Sequence, residues 1–378
     1  MDDLRKRTWA EISLGNMRRN YEAIRARMPE GCRFLGVVKA NAYGHGAVPV
    51  SRMLQDAGAD YLAVSCLDEA MELRQSGIYL PILILGHTPA EFTETLIRND
   101  LTQAVTCLAK AEEYSREAAR LGLTLRVHIK LDTGMSRLGF LCAGGRFDEG
   151  VEHVVYSCTL PGLEAEGVFT HFAVSDEPGE DNEAYTRAQF DLFLRVIAAV
   201  EERGVRFAIR HCANSGAFVH YPEMLLDMVR PGLLLYGYGD DSGTLGLLPC
   251  MRLVTRITTI KHYDPGTDVS YGRRLTTQRT TRMAVLGIGY ADGLPRLCSN
   301  KCSFAVAGGL APQRGSICMD MCMADVSDVP GAAVDGEVEI FGAQCSLETL
   351  SAAAQTIPNE LLCAVSKRVP RVYLAKQP

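Results

Sequence analysis

Between residues 33 and 235, short apolar runs alternate with longer amphipathic segments. Eight runs occur over about 200 residues, each ending in a polar or glycine-rich turn: 34–38, 61–64, 82–85, 102–105, 125–131, 167–170, 208–210 and 228–229. The intervening segments, for example 91–98, 109–121 and 182–203, have helical periodicity. Strands that alternate with helices are typical of parallel βαβ units. Eight repeats of this length favour a (β/α)8 TIM barrel over a doubly wound open sheet, because no Gly-x-Gly-x-x-Gly motif follows the first run.

After about residue 240 the rhythm changes. Residues 250–341 alternate apolar and polar positions with a period of two, separated by Gly, Pro and Asp turns, in the segments 253–261, 281–287, 304–307, 322–326 and 337–341. This pattern predicts a mainly antiparallel β domain. The loop 240–246 is a plausible boundary, so we expect a barrel over residues 12–240 and a C-terminal β domain over residues 241–378.

Composition narrows the function classes. Apolar residues make up 47% of the 378 residues, and the net charge is −6. Residues up to 240 contain 25 basic and 33 acidic side chains and the rest contain 14 and 12, so neither part predicts a nucleic-acid surface. No apolar run approaches the ~18 residues of a membrane span, and the N-terminal segment does not resemble a secretory signal. The thirteen cysteines form no Cys-x-x-Cys pair, which favours free thiols in a reducing cytoplasm.

The first strand of the predicted barrel ends in a lysine, in the segment Val-Val-Lys39-Ala-Asn-Ala-Tyr43-Gly-His-Gly46. Catalytic residues of such barrels lie at the C-terminal ends of strands and in the loops that follow. A lysine directly after a buried run loses hydration, which frees its amine to act as a nucleophile. The alternative is a lysine that extends to the barrel rim.

Two later loops have the features of an anion site. Arg230-Pro-Gly232-Leu233 follows the eighth run and Asn-Ser215-Gly follows the seventh, and loops at these places often bind phosphate through backbone N–H groups. Ordinary Gly and Pro turns are the alternative for both.

Two strand ends carry further polar candidates. Lys130-Leu-Asp-Thr-Gly-Met-Ser-Arg137 contains an arginine that could hold a carboxylate, or could pair with Asp132 or Asp148 at the surface. Thr-His171-Phe places one imidazole at a strand end, where a structural hydrogen bond is the alternative. In the β domain, Ser-Tyr271-Gly, Gly-Tyr290-Ala-Asp-Gly and Cys-Met319-Asp precede tight turns, and could equally be packing segments.

Together these motifs resemble the alanine racemase family. The attachment motif for pyridoxal 5'-phosphate (PLP) around Lys39 and the seven later motifs occur in the family's order, and the match extends to Arg-Val-Pro-Arg371. The resemblance implies an N-terminal (β/α)8 barrel, a C-terminal β domain joined by residues 1–11, with Thr8 to Leu14 in its sheet, and a head-to-tail homodimer. It also implies a cytoplasmic isomerase that interconverts L- and D-alanine and supplies D-alanine for peptidoglycan.

The resemblance also implies roles for individual residues. Lys39 holds PLP and acts as the base on one face of the substrate, and Tyr271 of the partner subunit acts on the other. Arg230 faces the pyridine nitrogen, and His171 joins it in a network around Tyr271. The remaining matches are to phosphate-binding positions (Tyr43, Ser215, Gly232, Leu233), to substrate-binding positions (Arg137, Met319, Tyr290) and to a lysine that is often carboxylated (Lys130). No metal is implied.

One position departs from the family. Lys367 stands where alanine racemases commonly have a tyrosine that reaches toward the cofactor phosphate, and the related serine racemases also lack that tyrosine. Lys367 could simply replace one phosphate hydrogen bond by a charged one. Alternatively it leaves room or a donor for a serine hydroxyl, giving a serine or dual alanine/serine racemase. A non-catalytic PLP-binding barrel would lack the β domain, and a PLP decarboxylase would lack the Lys39 and Tyr271 motifs.

Overall fold

The computed structural model describes residues 5–239 and 242–374. Within it the chain forms two compact units. The barrel unit comprises Tyr21–Ala42 and Ala47–Leu235, and the β unit comprises the chain up to Asn20, Tyr43–Gly46 and the chain from Tyr236. The boundary that we predicted between residues 240 and 241 lies outside the described residues, and so does part of the segment 1–11.

The barrel unit is built on parallel strands whose spatial order is Met228–Val229, Arg33–Val37, Tyr61–Val64, Ile82–Ile84, Leu101–Val105, Leu125–Asp132, Leu163–Phe169 and Ile209–His211. The first and last are joined by backbone bonds from Asp227 N to Arg210 O (3.1 Å) and from Arg230 N to Ala213 O (3.0 Å). These bonds close the sheet, which confirms the eight-stranded barrel. A short strand, Phe140–Leu141, pairs beside Leu125–Asp132.

Helices follow the barrel strands, as the amphipathic segments predict. The α-helices are Leu14–Arg25, Ala47–Ala57, Leu67–Gln75, Thr93–Arg98, Leu108–Leu121, Phe147–Thr159, Glu180–Glu201 and Ser215–His220. Turns of 3₁₀ helix cover Ala90–Phe92, Pro222–Met224 and Leu233–Tyr236. Apolar strand residues such as Leu62, Leu83 and Ile129 are fully buried, because both faces of a parallel sheet are covered.

The β unit contains an eight-stranded sheet in the order Thr281–Leu286, Cys322–Asp325, Gly309–Arg314, Ser303–Val306, Glu337–Phe341, Met251–Tyr263, Thr8–Ser13 and Arg371–Leu374. The long strand Met251–Tyr263 pairs with three neighbours, and a two-stranded ribbon joins Asp268–Val269 to Leu275–Thr276. Helices Leu347–Ala354 and Pro358–Ala364 and the 3₁₀ turns Tyr271–Arg273, Tyr290–Asp292 and Arg296–Cys298 complete it.

The N-terminal strand belongs to the sheet of the β unit. Thr8–Ser13 pairs antiparallel with Met251–Tyr263 and parallel with Arg371–Leu374, so strands distant in the sequence lie side by side in one sheet. Among the strands that the structure describes in this sheet, only the pairing with Arg371–Leu374 is parallel, and the others are antiparallel, as the period-two pattern predicts. All thirteen cysteines are free thiols. Within the described residues, no helix is long and apolar enough to cross a membrane, and no group of side chains could hold a metal ion.

Candidate active site

Lys39 lies where the first barrel strand ends and the backbone reverses its handedness. Ala40, Asn41 and Ala42 have φ values of 53°, 54° and 52°. A left-handed turn of residues other than glycine costs roughly 1–2 kcal/mol per residue, so the surrounding structure has to impose it. Such strain concentrates at functional sites, and here it directly follows the candidate nucleophile.

Hydrogen bonds on both sides hold this turn. The backbone N–H of Ala40 donates to Glu69 Oε1 at 2.6 Å, and the other carboxylate oxygen of Glu69 accepts from Ser65 N at 2.7 Å. Asn41 Oδ1 accepts from Ala47 N at 2.8 Å. Glu69 therefore ties the residue after Lys39 to the end of the second barrel strand. The sequence analysis missed this role because Glu69 lies in an ordinary amphipathic helix.

Cationic side chains gather at the same end of the barrel. Burial and the charges of Arg137 and Arg230, with a smaller contribution from Lys39, lower the pKa of Lys130 to about 8, against the opposing effect of Asp132. Burial and the charges of Arg230, Arg137, Lys130 and Lys39 also hold the pKa of His171 well below its usual value, so its imidazole is neutral. Four cationic side chains that together lower the pKa of His171, three of which also lower that of Lys130, make this end of the barrel favourable for anions.

Arg230, a member of this cluster, is almost completely buried, and burial lowers its pKa to about 10. Its Nη2 donates to the carbonyl oxygens of Thr170 (2.8 Å) and Cys212 (2.9 Å). Its Nη1 lies 2.9 Å from His211 Nδ1, and the guanidinium stacks 5.6 Å from the centre of the Phe169 ring. These contacts fix the orientation of the guanidinium plane. A donor that is to face a single atom of a ligand needs such a fixed orientation.

The two loops that we predicted as an anion site meet in the structure. The hydroxyl of Ser215 accepts hydrogen bonds from the backbone N–H of Gly232 (3.0 Å) and of Leu234 (3.4 Å), and Leu233 lies between these two donors. Asn214 caps the helix that begins at Ser215 by accepting from Ala217 N at 3.0 Å. A hydroxyl and several backbone N–H groups therefore converge, as phosphate binding requires.

Arg137 is exposed beyond a tight turn. Asp132 Oδ1 accepts from Gly134 N and Ser136 N, both at 3.0 Å, and Ser136 has a φ of 56°. The carboxylate of Asp132, which we considered as a surface partner for Arg137, thus supports the turn that precedes Arg137. The guanidinium is left accessible to a ligand.

In the β unit, Tyr271 is held by a reciprocal clamp of two serines. Ser270 Oγ donates to Ser316 O at 2.7 Å, and Ser316 Oγ donates to Tyr271 O at 2.8 Å. Ser270 has a φ of 67°, and Gly315 packs against it so closely that a Cβ at residue 315 would lie 2.8 Å from the Ser270 Cβ. The phenol itself is 72% exposed.

Tyr290 and Met319 are joined through their backbones. The carbonyl of Cys318 accepts from Tyr290 N and that of Met319 accepts from Ala291 N, both at 3.0 Å. A side chain at Gly289 would collide with these two carbonyls, at 2.3 and 2.4 Å. Both side chains are about half exposed, so the loop presents them outward.

Lys367 lies next to the same loop. The fully buried Asp292 accepts from Arg368 Nε at 2.8 Å and from Arg7, and its carbonyl accepts from Ser366 N at 3.1 Å. Lys367 itself is exposed. Hydrogen bonds to Asp292, two residues after Tyr290, thus hold both Ser366 and Arg368 in place. The side chain of Lys367, which lies between them, remains exposed.

Tyr43, the last of the site residues that we predicted from the sequence, also lies in the β unit. It is 8% exposed, and its ring centre lies 4.9 Å from that of Tyr236. Burial raises its pKa to about 12, so the phenol stays protonated and can donate. The carbonyl of Gly44 accepts from Arg371 Nε at 2.9 Å.

Each unit therefore assembles one set of the residues singled out in the sequence. The barrel unit holds Lys39, Lys130, Arg137, His171, Ser215, Arg230, Gly232 and Leu233, and the β unit holds Tyr43, Tyr271, Tyr290, Met319 and Lys367.

Comparison with known proteins identifies the family. Family models described as the alanine racemase N-terminal domain and C-terminal domain match residues 12–240 and 250–373. The chain belongs to the alanine racemase family. It is therefore an isomerase, and the resemblance, the fold class and the enzyme class expected from its sequence are confirmed.

Relatives of this family match over nearly the whole chain. The alanine racemase of Desulfovibrio desulfuricans is 44% identical, covering 97% of this chain and 98% of its own. A solved alanine racemase of Clostridium difficile has a TM-score of 0.92 at 39% identity, covering 98% and 97%. Another from D-cycloserine-producing Streptomyces lavendulae has a TM-score of 0.91 at 36% identity, covering 98% of each chain. A further Clostridium difficile structure is a complex with cycloserine, at a TM-score of 0.88 and 38% identity, covering 98% and 96%.

Proposed function

We propose that this protein interconverts L- and D-alanine with PLP as its cofactor. The observation that carries the proposal is the cation cluster of Lys39, Lys130, Arg137 and Arg230 at one end of the barrel. It suits a substrate carboxylate and a cofactor phosphate, because both anions are attracted to these positive charges.

The donor set of the barrel unit fits PLP. Lys39 offers an amine for the aldehyde, and Ser215 with the N–H of Gly232 offers donors for the phosphate. The buried guanidinium of Arg230 offers a fixed donor for the ring nitrogen. By resemblance to the family's motifs, we assign a backbone contact with the phosphate to Leu233 and side-chain donors to Tyr43 and Lys367. When bound, PLP supplies an electron sink that stabilises negative charge on the α-carbon of an amino acid.

The residues then divide the proton transfers. Lys39 holds a proton at Nζ on one face of the substrate, and Tyr271 of the partner subunit holds one at its phenol oxygen on the other. Two bases on opposite faces allow a proton removed from one side to be replaced from the other, which inverts the configuration. Neutral His171 and cationic Arg230 provide the electrostatic setting in which a phenol can give up its proton.

Substrate orientation falls to residues around the carboxylate. Arg137 and the backbone at Met319 bind the carboxylate, and Tyr290 borders the space for the side chain. A lysine with a pKa of about 8 is partly neutral at physiological pH, and a neutral amine reacts with carbon dioxide. Carboxylated Lys130 would be an anion that holds Arg137 in place.

The physiological setting follows from this chemistry. We infer a cytoplasmic homodimer that supplies D-alanine for peptidoglycan. Its partners are a small amino acid and a second copy of the chain, with neither nucleic acid nor membrane involved.

A second candidate activity is serine racemisation. The exposed side chain of Lys367, between anchored neighbours, stands where the family commonly has tyrosine. A lysine there can leave room or a donor for a serine hydroxyl. A pocket that merely tolerates a hydroxyl discriminates weakly, so alanine turnover with appreciable serine turnover is the expected outcome.

Substitution of Lys39 tests the proposal most directly. The purified protein should be yellow, and borohydride reduction should attach the chromophore to Lys39. Lys39→Ala should abolish alanine racemisation because it removes both the anchor and one base. Lys301→Ala, at an exposed lysine of the β unit, is the matched control and should retain full activity. Normal turnover by Lys39→Ala would end this assignment.

A further inference from the structure

A continuous chain of hydrogen bonds, buried except for its part-buried last link, leads away from Arg230. His211 Nδ1 lies 2.9 Å from Arg230 Nη1, and His211 Nε2 lies 2.9 Å from His128 Nδ1. His128 Nε2 lies 3.2 Å from Glu166 Oε2. Both imidazoles are completely buried. The chain thus connects a cation at one end to a carboxylate at the other through two histidines.

Only one set of tautomers satisfies every contact. A guanidinium can only donate, so His211 Nδ1 must accept and the proton of that ring lies on Nε2. His211 Nε2–H then donates to His128 Nδ1, which leaves the second proton on His128 Nε2. That proton donates to Glu166. Burial, opposed by Glu166, lowers the pKa of His128, and burial and Arg230 hold that of His211 well below its usual value, so both rings are neutral.

The position of Glu166 depends on an irregularity in the sheet. The pairing between strands Leu125–Asp132 and Leu163–Phe169 shifts from Val127 opposite Ala165 to His128 opposite Gly167, so Glu166 is an extra residue. A β-bulge of this kind redirects a side chain. Gly167 leaves the space for the imidazole, because a Cβ there would lie 2.6–2.8 Å from the His128 ring.

The carboxylate of Glu166 is held in its charged form. Tyr61 OH lies 2.9 and 2.8 Å from its two oxygens. Burial raises the pKa of Glu166, but hydrogen bonds from His128 and Tyr61 and the charge of Arg126 together keep it below its usual value. An anion that can only accept hydrogen bonds therefore persists at the far end of the chain.

We propose that Glu166 is a positioning residue for Arg230: it fixes the tautomers of His128 and His211, so that His211 Nδ1 remains an acceptor for the guanidinium. If His211 carried its proton on Nδ1 instead, a donor would face a donor, and the guanidinium would have to turn. The relevance to catalysis rests on the proposed function, in which Arg230 faces the cofactor ring. The tautomer assignment does not depend on that function.

Nitrogen NMR of the protein labelled with ¹⁵N-histidine tests the assignment without any substitution. Two-bond nitrogen–proton correlations distinguish the two neutral tautomers, and His211→Asn and His128→Asn assign the signals. His128 and His211 should both be protonated on Nε2, before and after PLP is added. A proton on Nδ1 of His211 in the unmodified protein would overturn the proposal.

Glu166→Gln then tests the role of the carboxylate. An amide can offer either its oxygen or its NH₂ group to His128, so the Nδ1–H tautomer of His211 should become detectable. Racemisation should slow about tenfold in kcat, as expected when one buried hydrogen bond is lost in the reacting state, with KM nearly unchanged. Tyr61→Phe leaves the carboxylate of Glu166 in place. In this variant His128 and His211 should therefore both stay protonated on Nε2.

Glu164→Gln is the matched control, because it removes the same charge from an exposed position two residues earlier on the same strand. It should change neither the NMR signals nor kcat. An unchanged His211 tautomer in Glu166→Gln would refute the proposal, and so would an equal loss of kcat in Glu164→Gln. A wild-type protein with the expected tautomers but no racemase activity would instead refute the proposed function.

Discussion

The hydroxyl of Ser316 donates a 2.8 Å hydrogen bond to the backbone carbonyl oxygen of Tyr271. Ser316 is 1% exposed, whereas the phenol of Tyr271 is 72% exposed. The exposed side chain is therefore carried by a backbone that is fixed from behind. Ser270 completes this arrangement in a left-handed conformation that serine rarely adopts, so the turn depends on its hydrogen bonds.

Ser316→Ala should slow racemisation by about tenfold in kcat, because it leaves a carbonyl without its donor at a cost of ~1–3 kcal/mol and loosens the turn before Tyr271. KM for alanine should change less, and bound PLP should be retained. Steady-state kinetics in both directions measure this. Ser303→Ala, at an exposed strand position of the same unit, should behave like the unmodified protein. An unaltered kcat in Ser316→Ala would show that the clamp does not support Tyr271.

Mixing two inactive variants tests whether sites are shared between subunits. Lys39→Ala and Tyr271→Phe should each be inactive alone in both directions, because each direction needs one group to remove the proton and the other to deliver it. In a heterodimer, one of the two sites would keep both bases if Tyr271 comes from the partner, so exchange of subunits should restore up to about half of the activity per dimer. Recovery is measured after the exchange is verified by mass spectrometry. Verified heterodimers without recovered activity would rule out sharing.

Lys130 should be carboxylated in the presence of bicarbonate, since its pKa of about 8 leaves part of it neutral at physiological pH. The protein equilibrated with ¹³C-bicarbonate should give a carbamate signal that disappears in Lys130→Ala. The control Lys110→Ala, at a lysine paired with Glu113 on a barrel helix, should retain the signal. If the unmodified protein gave no carbamate signal, the carboxylation of Lys130 would be ruled out.

The buried imidazoles should make stability depend on pH. The pKa values of His128, His171 and His211 are lowered in the folded state, so below the unfolded value of about 6.5 the unfolded chain binds more protons. The free energy of unfolding should thus fall as the pH decreases from 7 to 5, by up to ~1.4 kcal/mol per pH unit for each ring. Urea unfolding at several pH values measures the slope.

His211→Asn should reduce that slope by about one ring's share, because one titrating group is removed from both states. His262→Asn, at an exposed histidine of the β unit, should leave the slope as it is. If His211→Asn also kept the slope of the unmodified protein, the result would contradict a neutral, buried His211.

Lys367→Tyr should raise the alanine-to-serine ratio of kcat/KM if Lys367 gives a serine hydroxyl room or a donor. We expect about a tenfold change, or ~1.4 kcal/mol of discrimination. Initial rates with both amino acids measure it, and Lys301→Tyr controls for a new surface tyrosine. A ratio that does not change would show that Lys367 merely replaces a phosphate hydrogen bond, and that any serine activity has another origin.

Much of this molecule could be predicted from local pattern. The eight apolar runs and the period-two segments predicted both units, because strand burial imprints a repeating pattern on the residues themselves. Strand ends pointed to Lys39, Ser215 and Arg230, since parallel strands bring their C-terminal ends to one edge. The motifs then indicated the family. These inferences all depend on residues close together in the chain.

The tertiary structure alone decided the relations between distant residues. Glu166 lies just before the predicted run 167–170, and only the bulge opposite Val127 and His128 brings its carboxylate to the His128 ring. The left-handed turn after Lys39 is held by Glu69, about thirty residues away, and Ser316 reaches Tyr271 across 45 positions. Register, backbone strain and long-range hydrogen bonds depend on which segments pack together, and no local pattern in the sequence records that choice.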